Sequence, residues 1–178
     1  STPSAYLESV AKDMIAAVEQ NKAALKTNNL LAEKLVKQHL LPAIDTKTLS
    51  RMTLGSKIRK KMSSAQQNAF TEGYITQVIS KYAKGLSFYD GQDFVFQPAE
   101  ISKKTGNARV KSEMKQTGSQ PFRINYVLEK SAAQWLITNI YVEGTNMRKS
   151  YKNQFLPRIK EIGMDNFIKE LSTLKKAK

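Results

Sequence analysis

The side chains with acid, base or metal chemistry are few in this sequence and widely spaced. His39 is the only histidine, cysteine is absent, and no acidic residue stands at metal-ligand spacing from His39. Six carboxylates fall at predicted turns, strand ends or wet strand faces, where solvated charge is the usual state: Asp90, Asp93, Glu100, Glu113, Glu129 and Glu143. These residues are interpreted as surface groups, and no catalytic or metal site is predicted from them.

Motifs for nucleophilic or nucleotide chemistry are also missing. No serine stands in a G-x-S-x-G sequence, and the 8 glycines are too scattered for a phosphate loop or a dinucleotide fingerprint. The sequence therefore predicts no enzyme and no cofactor.

Positive charge is the strongest compositional signal. Lysine and arginine number 29 against 15 acidic residues, a net charge of +14, which indicates an anionic partner. The densest stretches are 57–61 and Arg148-Lys149 with Lys152. Proteins that bind single-stranded nucleic acid usually add aromatic stacking platforms. The predicted outward sheet residues Arg109, Lys111, Lys115 and Arg123 include none. Docking on an acidic protein or transient contact with an anionic membrane surface is favoured over nucleic acid.

The first half of the chain, at about 4–88, is predicted to be helical. Helices are predicted from Ala5 to Leu25, from Asn29 to Leu41, and from Asp45 to Gly55. A longer helix follows a capping box at 64–67. Its apolar residues recur every fourth position, at Phe70, Tyr74, Val78 and Tyr82.

Period-two alternation then predicts a meander of four antiparallel strands at about 93–143. Its third and fourth strands are joined through a turn at 130–132. The last strand alternates Trp135, Ile137 and Tyr141 with Leu136, Ile140 and Val142, and is thus apolar on both faces. Such a strand is predicted to be covered on both sides.

C-terminal helices are predicted at about 146–176. Gly144 allows a turn, Thr145 or Asn146 can cap the helix, and Met147 begins an apolar spacing of four along it. Pro157 is expected to kink this helix. A last helix at 165–175 directs four apolar residues inward: Phe167, Ile168, Leu171 and Leu174.

The predicted fold is α+β, one domain over 1–178, with helices packed on one face of a curved four-stranded antiparallel sheet. No apolar run approaches the roughly 20 residues of a membrane helix, so a soluble chain is expected. The predicted inner lining is aromatic, aliphatic and thioether: Phe70, Tyr74, Ile75, Val78, Ile79, Tyr82, Phe94, Phe96, Val110, Met114, Phe122, Ile124, Tyr126, Leu128, Tyr141, Met147 and Tyr151. Periodicity alone does not distinguish a packed core from a lined cavity.

Three segments carry a family resemblance. The stretch 39–55, HLLPAIDTKTLSRMTLG, resembles the LLP-x-x-D and R-x-x-LG motifs of the MlaC family, the periplasmic phospholipid carriers of the bacterial envelope also called toluene-tolerance proteins. A second match runs from Trp135 through Val142-Glu143-Gly144 to Tyr151 and Gln154-Phe155. A third consists of Gly163–Asp165 with Phe167 and Leu171. The motifs stand in the family's order along nearly the whole chain.

The resemblance implies a carrier in the periplasm with a fold similar to the nuclear-transport-factor-like fold. It also places Met147 at the rim of the cavity, where strand passes into helix. The residues of the inner lining would hold phospholipid acyl tails as cargo, in a cavity between helices and sheet, without enzymatic activity or a cofactor. The implied partners are an outer-membrane lipoprotein complex and an inner-membrane, ATP-driven lipid transporter complex. A basic module that binds nucleic acid or protein, and a small-molecule enzyme of related fold, stay as the alternatives.

Overall fold

The computed structural model describes residues 1–174, the last of them by its backbone only, and has helices on one face of an antiparallel sheet. The α-helices are Pro3–Gln20 (α1), Lys22–Leu25 (α2), Asn29–His39 (α3), Thr46–Leu54 (α4), Ser56–Arg59 (α5), Ser64–Ala83 (α6), Met147–Ile162 (α7) and Met164–Leu174 (α8). Two 3-10 segments span Leu41–Ala43 and Lys84–Phe88. The expected inward side chain of Leu174 and the helix end beyond it lie outside the described residues.

Most helix starts follow the predicted capping chemistry. The Thr2 hydroxyl accepts a hydrogen bond from the Ala5 amide at 3.1 Å, and Asp45 accepts from Thr48 at 3.0 Å. The capping box of α6 begins one residue earlier than predicted. Ser63 and Gln66 form it, because each side chain accepts from the backbone N–H of the other.

One predicted helix is divided in two, and another contains a proline within its length. The helix expected over 5–25 is interrupted at Asn21, whose backbone leaves helical geometry and whose side-chain amide donates to the Ala17 carbonyl at 2.7 Å. Helix α7 continues through Pro157, which cannot donate a hydrogen bond to the Asn153 carbonyl, and the kink expected at this proline stays a prediction.

The sheet has six strands within the described residues, where four were expected. They are Asp93–Phe96 (β1), Glu100–Ile101 (β2), Ala108–Lys115 (β3), Phe122–Ser131 (β4), Gln134–Val142 (β5) and Thr145–Asn146 (β6). The four predicted strands form the antiparallel path β1-β3-β4-β5, with β6 on β5 and β2 on β3. The missed strands have two residues each, too few to show an alternation. Strand β4 also runs to Ser131, so the turn after it is later than predicted.

A β-bulge in β5 changes which side chains share a face. Leu128 pairs with Ile137 and Val127 pairs with Asn139, so Thr138 is the extra, unpaired residue. After the bulge, Ile140 lies on the same face as Ile137, and Tyr141 lies on the opposite one. The predicted grouping of Trp135, Ile137 and Tyr141 is therefore wrong, because a strict period of two does not survive an inserted residue.

The outer face of the sheet is mostly wet, as predicted for β3. Arg109 and Lys111 are exposed between the buried residues Ala108, Val110 and Ser112. The expected full cover over both faces of β5 is not found, because Leu136 and Tyr141 are only half-buried on the outer side. The Arg109 guanidinium lies 5.3 Å from the centre of the Tyr141 ring and covers part of it.

The apolar interior consists of two clusters. One lies among the helices α3, α4, α6, α7 and α8, reaches the C-terminal end of α1 and α2, and is called the helical core. The other lies between α1 and the inner face of the sheet, centred on Leu7, Val110, Leu128 and Ile137, and is called the sheet core. The sequence had predicted one common apolar space.

Candidate functional site

The inner face of the sheet brings together most of the strand residues predicted to line a cavity. Residues that pair directly across antiparallel strands point to the same face. The registers of β1, β3, β4 and β5 therefore place eight predicted residues on the helix-facing side: Phe94, Phe96, Val110, Met114, Phe122, Ile124, Tyr126 and Leu128. Tyr141 is a correction, since the bulge at Thr138 turns it to the outer face.

Helix α1 lies opposite this face. Its start is held by the Thr2 cap and by the Ser4 hydroxyl, which donates to the Gln97 carbonyl just after β1 at 2.6 Å. Leu7, Val10 and Met14 repeat at helical spacing and so point to the same side of α1. Sequence analysis recognised such a helix there but gave it no place in the site. The amphipathic spacing of α1 was the signal in the sequence that could have indicated its contact with the sheet.

Between α1 and the sheet lies an apolar cavity of about 170 Å³. Its lining residues are Leu7, Val10, Ala11, Met14, Ile15, Leu40, Phe94, Phe96, Tyr126 and Ile137. Three of them, Phe94, Phe96 and Tyr126, belong to the predicted lining. The other seven were missed. Because the lining offers so few partners for hydrogen bonds, the space favours hydrocarbon over water.

Tyr126 carries the one polar side-chain group of this lining. Burial raises the pKa of its hydroxyl to about 12, and Ser112 opposes that shift. The Ser112 hydroxyl itself donates to the Ile124 carbonyl at 2.6 Å. Tyr126 is therefore neutral around pH 7, and the cavity presents no ionised group to a ligand.

The predicted residues on α6 and α7 are mainly used elsewhere. Phe70, Tyr74, Ile75, Ile79, Met147 and Tyr151 are all buried in the helical core. The Tyr74 ring centre lies 5.1 Å from that of Tyr151 and 5.3 Å from that of Phe155. Met147, expected at a rim, is only 5% exposed. The predicted apolar face of α6 is filled by helix–helix packing, because α8 approaches so closely at Gly73 that an added Cβ would lie 3.0 Å from Leu171.

The C-terminal end of α6 is less covered. Val78 is half-buried and Tyr82 is 44% exposed. The Lys81 ammonium lies 5.4 Å from the Tyr82 ring centre and 5.8 Å from that of Tyr151. A positive charge and two aromatic rings thus meet where the helical core reaches the surface.

The groups considered for catalysis or metal binding do not form a site. Within residues 1–174, no three histidine, cysteine or acidic residues come close enough to hold a metal ion. His39 is half-buried at the end of α3. Four of the six carboxylates form exposed or half-exposed ion pairs: Asp90 with Lys22, Glu100 with Lys111, Glu113 with Lys115 and Glu143 with Arg123. Within the same residues no helix is long and apolar enough to cross a membrane.

Comparison with known proteins finds similarity at the level of the family, of a single sequence and of a solved structure. The sequence profile of the MlaC protein family matches residues 8–173. Toluene tolerance protein ttg2D of Pseudomonas putida is 24% identical over 166 residues, which are 92% of this chain and 76% of that protein. The structure of a phospholipid-binding protein from Ralstonia solanacearum, solved in complex with a phospholipid, superimposes with a TM-score of 0.89 at 22% identity, over 99% of this chain and 98% of that one.

Proposed function

This chain belongs to the MlaC family, and from that membership together with the apolar cavity we propose that it is a periplasmic phospholipid carrier. As a single lipid-binding domain, it would hold acyl tails between α1 and the sheet and move lipid between outer-membrane and inner-membrane transport complexes. The family match supports the class of function, and the fold shared with a protein solved with a phospholipid supports the kind of cargo.

The observation that carries this proposal is the apolar cavity between α1 and the inner face of the sheet. An acyl tail of about sixteen carbons costs roughly 12 kcal/mol to leave in water, at about 0.8 kcal/mol per methylene. A carrier needs only to replace the contact between the tail and water by contact with an apolar lining. The residues around the cavity supply one, and the proposal requires no catalytic group.

The size of the cavity indicates how much of a tail it takes. Ligand pockets usually measure about 300–1,000 Å³, so 170 Å³ accommodates part of a lipid. The same sheet face continues towards the β3–β4 hairpin with Met114, Ile124 and Phe122, which are half-buried or exposed. These residues provide an apolar path for the rest of the tail, and the polar head group would remain in water.

Filling the cavity tests the proposal. Ala11 lines it and Ala16 lies exposed on the same helix, so Ala11→Phe and Ala16→Phe add the same ring on different sides of α1. Organic extraction of protein purified without detergent, followed by mass spectrometry, is expected to find phospholipid in the wild type and in Ala16→Phe. Ala11→Phe is expected to lose most of it, with an unchanged circular dichroism spectrum.

Two results would contradict the proposal. One is repeated wild-type preparations that contain no phospholipid. The other is an equal lipid load in Ala11→Phe and Ala16→Phe. The shuttling step is tested separately, by following a fluorescent phospholipid from donor to acceptor vesicles. Transfer should be faster with the wild type than with Ala11→Phe.

A further inference from the structure

Two segments of the chain contain basic residues and no acidic ones. Residues 46–71 hold six lysines and arginines without an aspartate or glutamate, and residues 144–160 hold five, again without an acid. They are separated by more than seventy residues of mixed charge. Their nearest acidic neighbours, Asp45 and Glu72 for the first and Glu143 and Glu161 for the second, lie just outside.

The fold places these two segments side by side. The first contains α4 and α5 and the second contains α7. Leu49 and Leu54 of α4 share the helical core with Met147, Tyr151 and Phe155 of α7. At the junction of α4 and α5, a Cβ on Gly55 would lie 3.6 Å from the Lys152 ammonium. The basic residues of α5 therefore come directly after a point where the chain contacts α7.

A surface groove of about 450 Å³ opens at this junction, lined by Met52, Asn146, Arg148, Lys149, Lys152 and Asn153. At the helix N-terminus beside it two N–H groups are already used, because the Arg148 amide donates to Asn139 and the Lys149 amide to Asn146. Any anion held here is therefore held by side chains. We call Lys57, Arg59, Lys60, Arg148, Lys149 and Lys152 the basic surface.

Ion pairs within residues 1–174 do not neutralise the charge of the basic surface. None of its six residues forms an ion pair with another residue of 1–174, whereas Arg158, further along α7, is paired with Glu161 and Glu170. Lys57, Lys60, Lys149 and Lys152 are exposed. Like charges held together on one side of a protein raise its free energy by self-repulsion. An anionic partner relieves that repulsion.

We propose that the basic surface docks on the phosphate layer of an anionic phospholipid bilayer. Protein interfaces are enriched in aromatic residues and depleted of lysine, and the groove has lysines and no aromatic residue. For the same reason it lacks a platform on which nucleic-acid bases could stack. Met52, 50% exposed among these cations, adds an apolar side chain that can enter the head-group region. Lysines next to an apolar residue suit an anionic membrane.

This inference deepens the proposed function by naming the surface that meets the membrane. The test variant replaces Lys57, Lys60, Lys149 and Lys152 with Gln. The matched control replaces Lys34, Lys37, Lys103 and Lys104 with Gln, which removes four charges from exposed lysines outside the two acid-free segments. Binding is measured by flotation with vesicles of phosphatidylcholine alone or mixed with phosphatidylglycerol.

The wild type is expected to bind the mixed vesicles, to ignore pure phosphatidylcholine and to be released by salt. The test variant is expected to bind roughly tenfold more weakly or worse, and the control to stay within about twofold of the wild type. Equal loss in both variants would show an effect of net charge and overturn the assignment to this surface. No vesicle binding by the wild type, or preference for an acidic protein or for nucleic acid over vesicles, would overturn the choice of partner.

Failure of this inference is distinguishable from failure of the carrier proposal. The test variant should keep its co-purified phospholipid, since none of its four residues lines the cavity. Ala11→Phe should dock on mixed vesicles although its cavity is filled. A wild type that binds vesicles but never contains phospholipid would refute the carrier and leave the docking surface standing.

Discussion

Tyr126 and Tyr74 show how residues of one type have different roles in this protein. Tyr126 has its ring against the cavity, with its centre 6.1 Å from that of Phe96. Tyr74 is fully buried in the helical core, and its hydroxyl lies 3.0 Å from that of Thr53. Thr53 donates to the Leu49 carbonyl at 2.8 Å, which leaves Tyr74 to donate to Thr53. The hydroxyls of Thr53 and Tyr74 are therefore both satisfied, as burial requires of polar groups.

Removing the Thr53 hydroxyl should destabilise the protein. Thr53→Val keeps the shape of the side chain but leaves the Tyr74 hydroxyl without its partner in the interior. A buried donor without a partner costs about 1–3 kcal/mol, so the free energy of unfolding in urea is expected to fall by that amount.

A double-mutant cycle gives the control. Tyr74→Phe removes the orphaned hydroxyl, so Thr53→Val should cost clearly less in the Tyr74→Phe background than in the wild type. Equal costs in both backgrounds would show that the two hydroxyls do not interact. Because neither residue lines the cavity, co-purified phospholipid should be unchanged in all three variants.

Helix α1 lines the cavity, a role that the sequence suggested for α6. Helix α6 has the apolar spacing expected of a cavity lining, but α7 and α8 cover that face. Helix α1 is an ordinary amphipathic helix whose apolar side has the sheet opposite, and it encloses the cavity. Hydrophobic periodicity shows that a face is buried and does not show what lies against it.

The connections after β5 and after α7 contain residues with positive φ, a conformation that favours glycine. Glu143 and Gly144 both have positive φ, 49° and 83°, as a two-residue turn between β5 and β6 requires. Gly163 ends α7 at φ 83° and ψ 161°, a region that is essentially restricted to glycine. The first connection sets the direction in which the chain leaves β5, and the second sets the direction of α8 relative to α7.

Substitution of Gly163 tests this at the level of the element. At Gly163 and at Gly85 an added Cβ would meet no atom within 4 Å, and only Gly163 has a positive φ. Gly163→Ala should therefore lower the free energy of unfolding by about 1–3 kcal/mol through backbone strain alone. Gly85→Ala should leave stability unchanged or raise it by up to about 1 kcal/mol. Similar values for the two variants in urea unfolding would contradict the strained joint.

For the whole molecule, buried tyrosines link folding to alkaline pH. Burial raises the pKa of Tyr74 and of Tyr126 from 10.0 to about 12, and it also raises the pKa of Tyr151. Each of them holds its proton more tightly in the folded state than in the unfolded chain. Their contribution to stability is complete below pH 10 and is lost as the pH rises from 10 towards 12.

Urea unfolding as a function of pH measures this loss. The free energy of unfolding is expected to fall between about pH 10 and 12, and tyrosinate absorbance should show one group of tyrosines that ionises only as the protein unfolds. Lysines also titrate in this range, so Tyr74→Phe serves as the control and should flatten the slope. A slope identical to that of the wild type would show that Tyr74 does not contribute.

The sequence by itself determined the local structure and the family. Caps such as Thr2 and Asp45, the alternation of β3 and β4 and the turn at Gly144 depend on neighbouring residues, so they could be predicted. The α+β class and the resemblance to the MlaC family carried by 39–55 were confirmed. Sequence analysis also placed eight strand residues on one face, which the registers of the sheet confirm.

Tertiary structure alone decided how these elements share the interior and the surface. Thr138 forms a bulge that turns Tyr141 outward, α8 rather than the sheet covers α6, and α1 encloses the cavity. The two acid-free segments meet only because α4 packs against α7. The physical reason is that helical and strand periods fix which side chains share a face. Which face meets which depends on long-range packing, and a register shift of one residue is enough to reverse it.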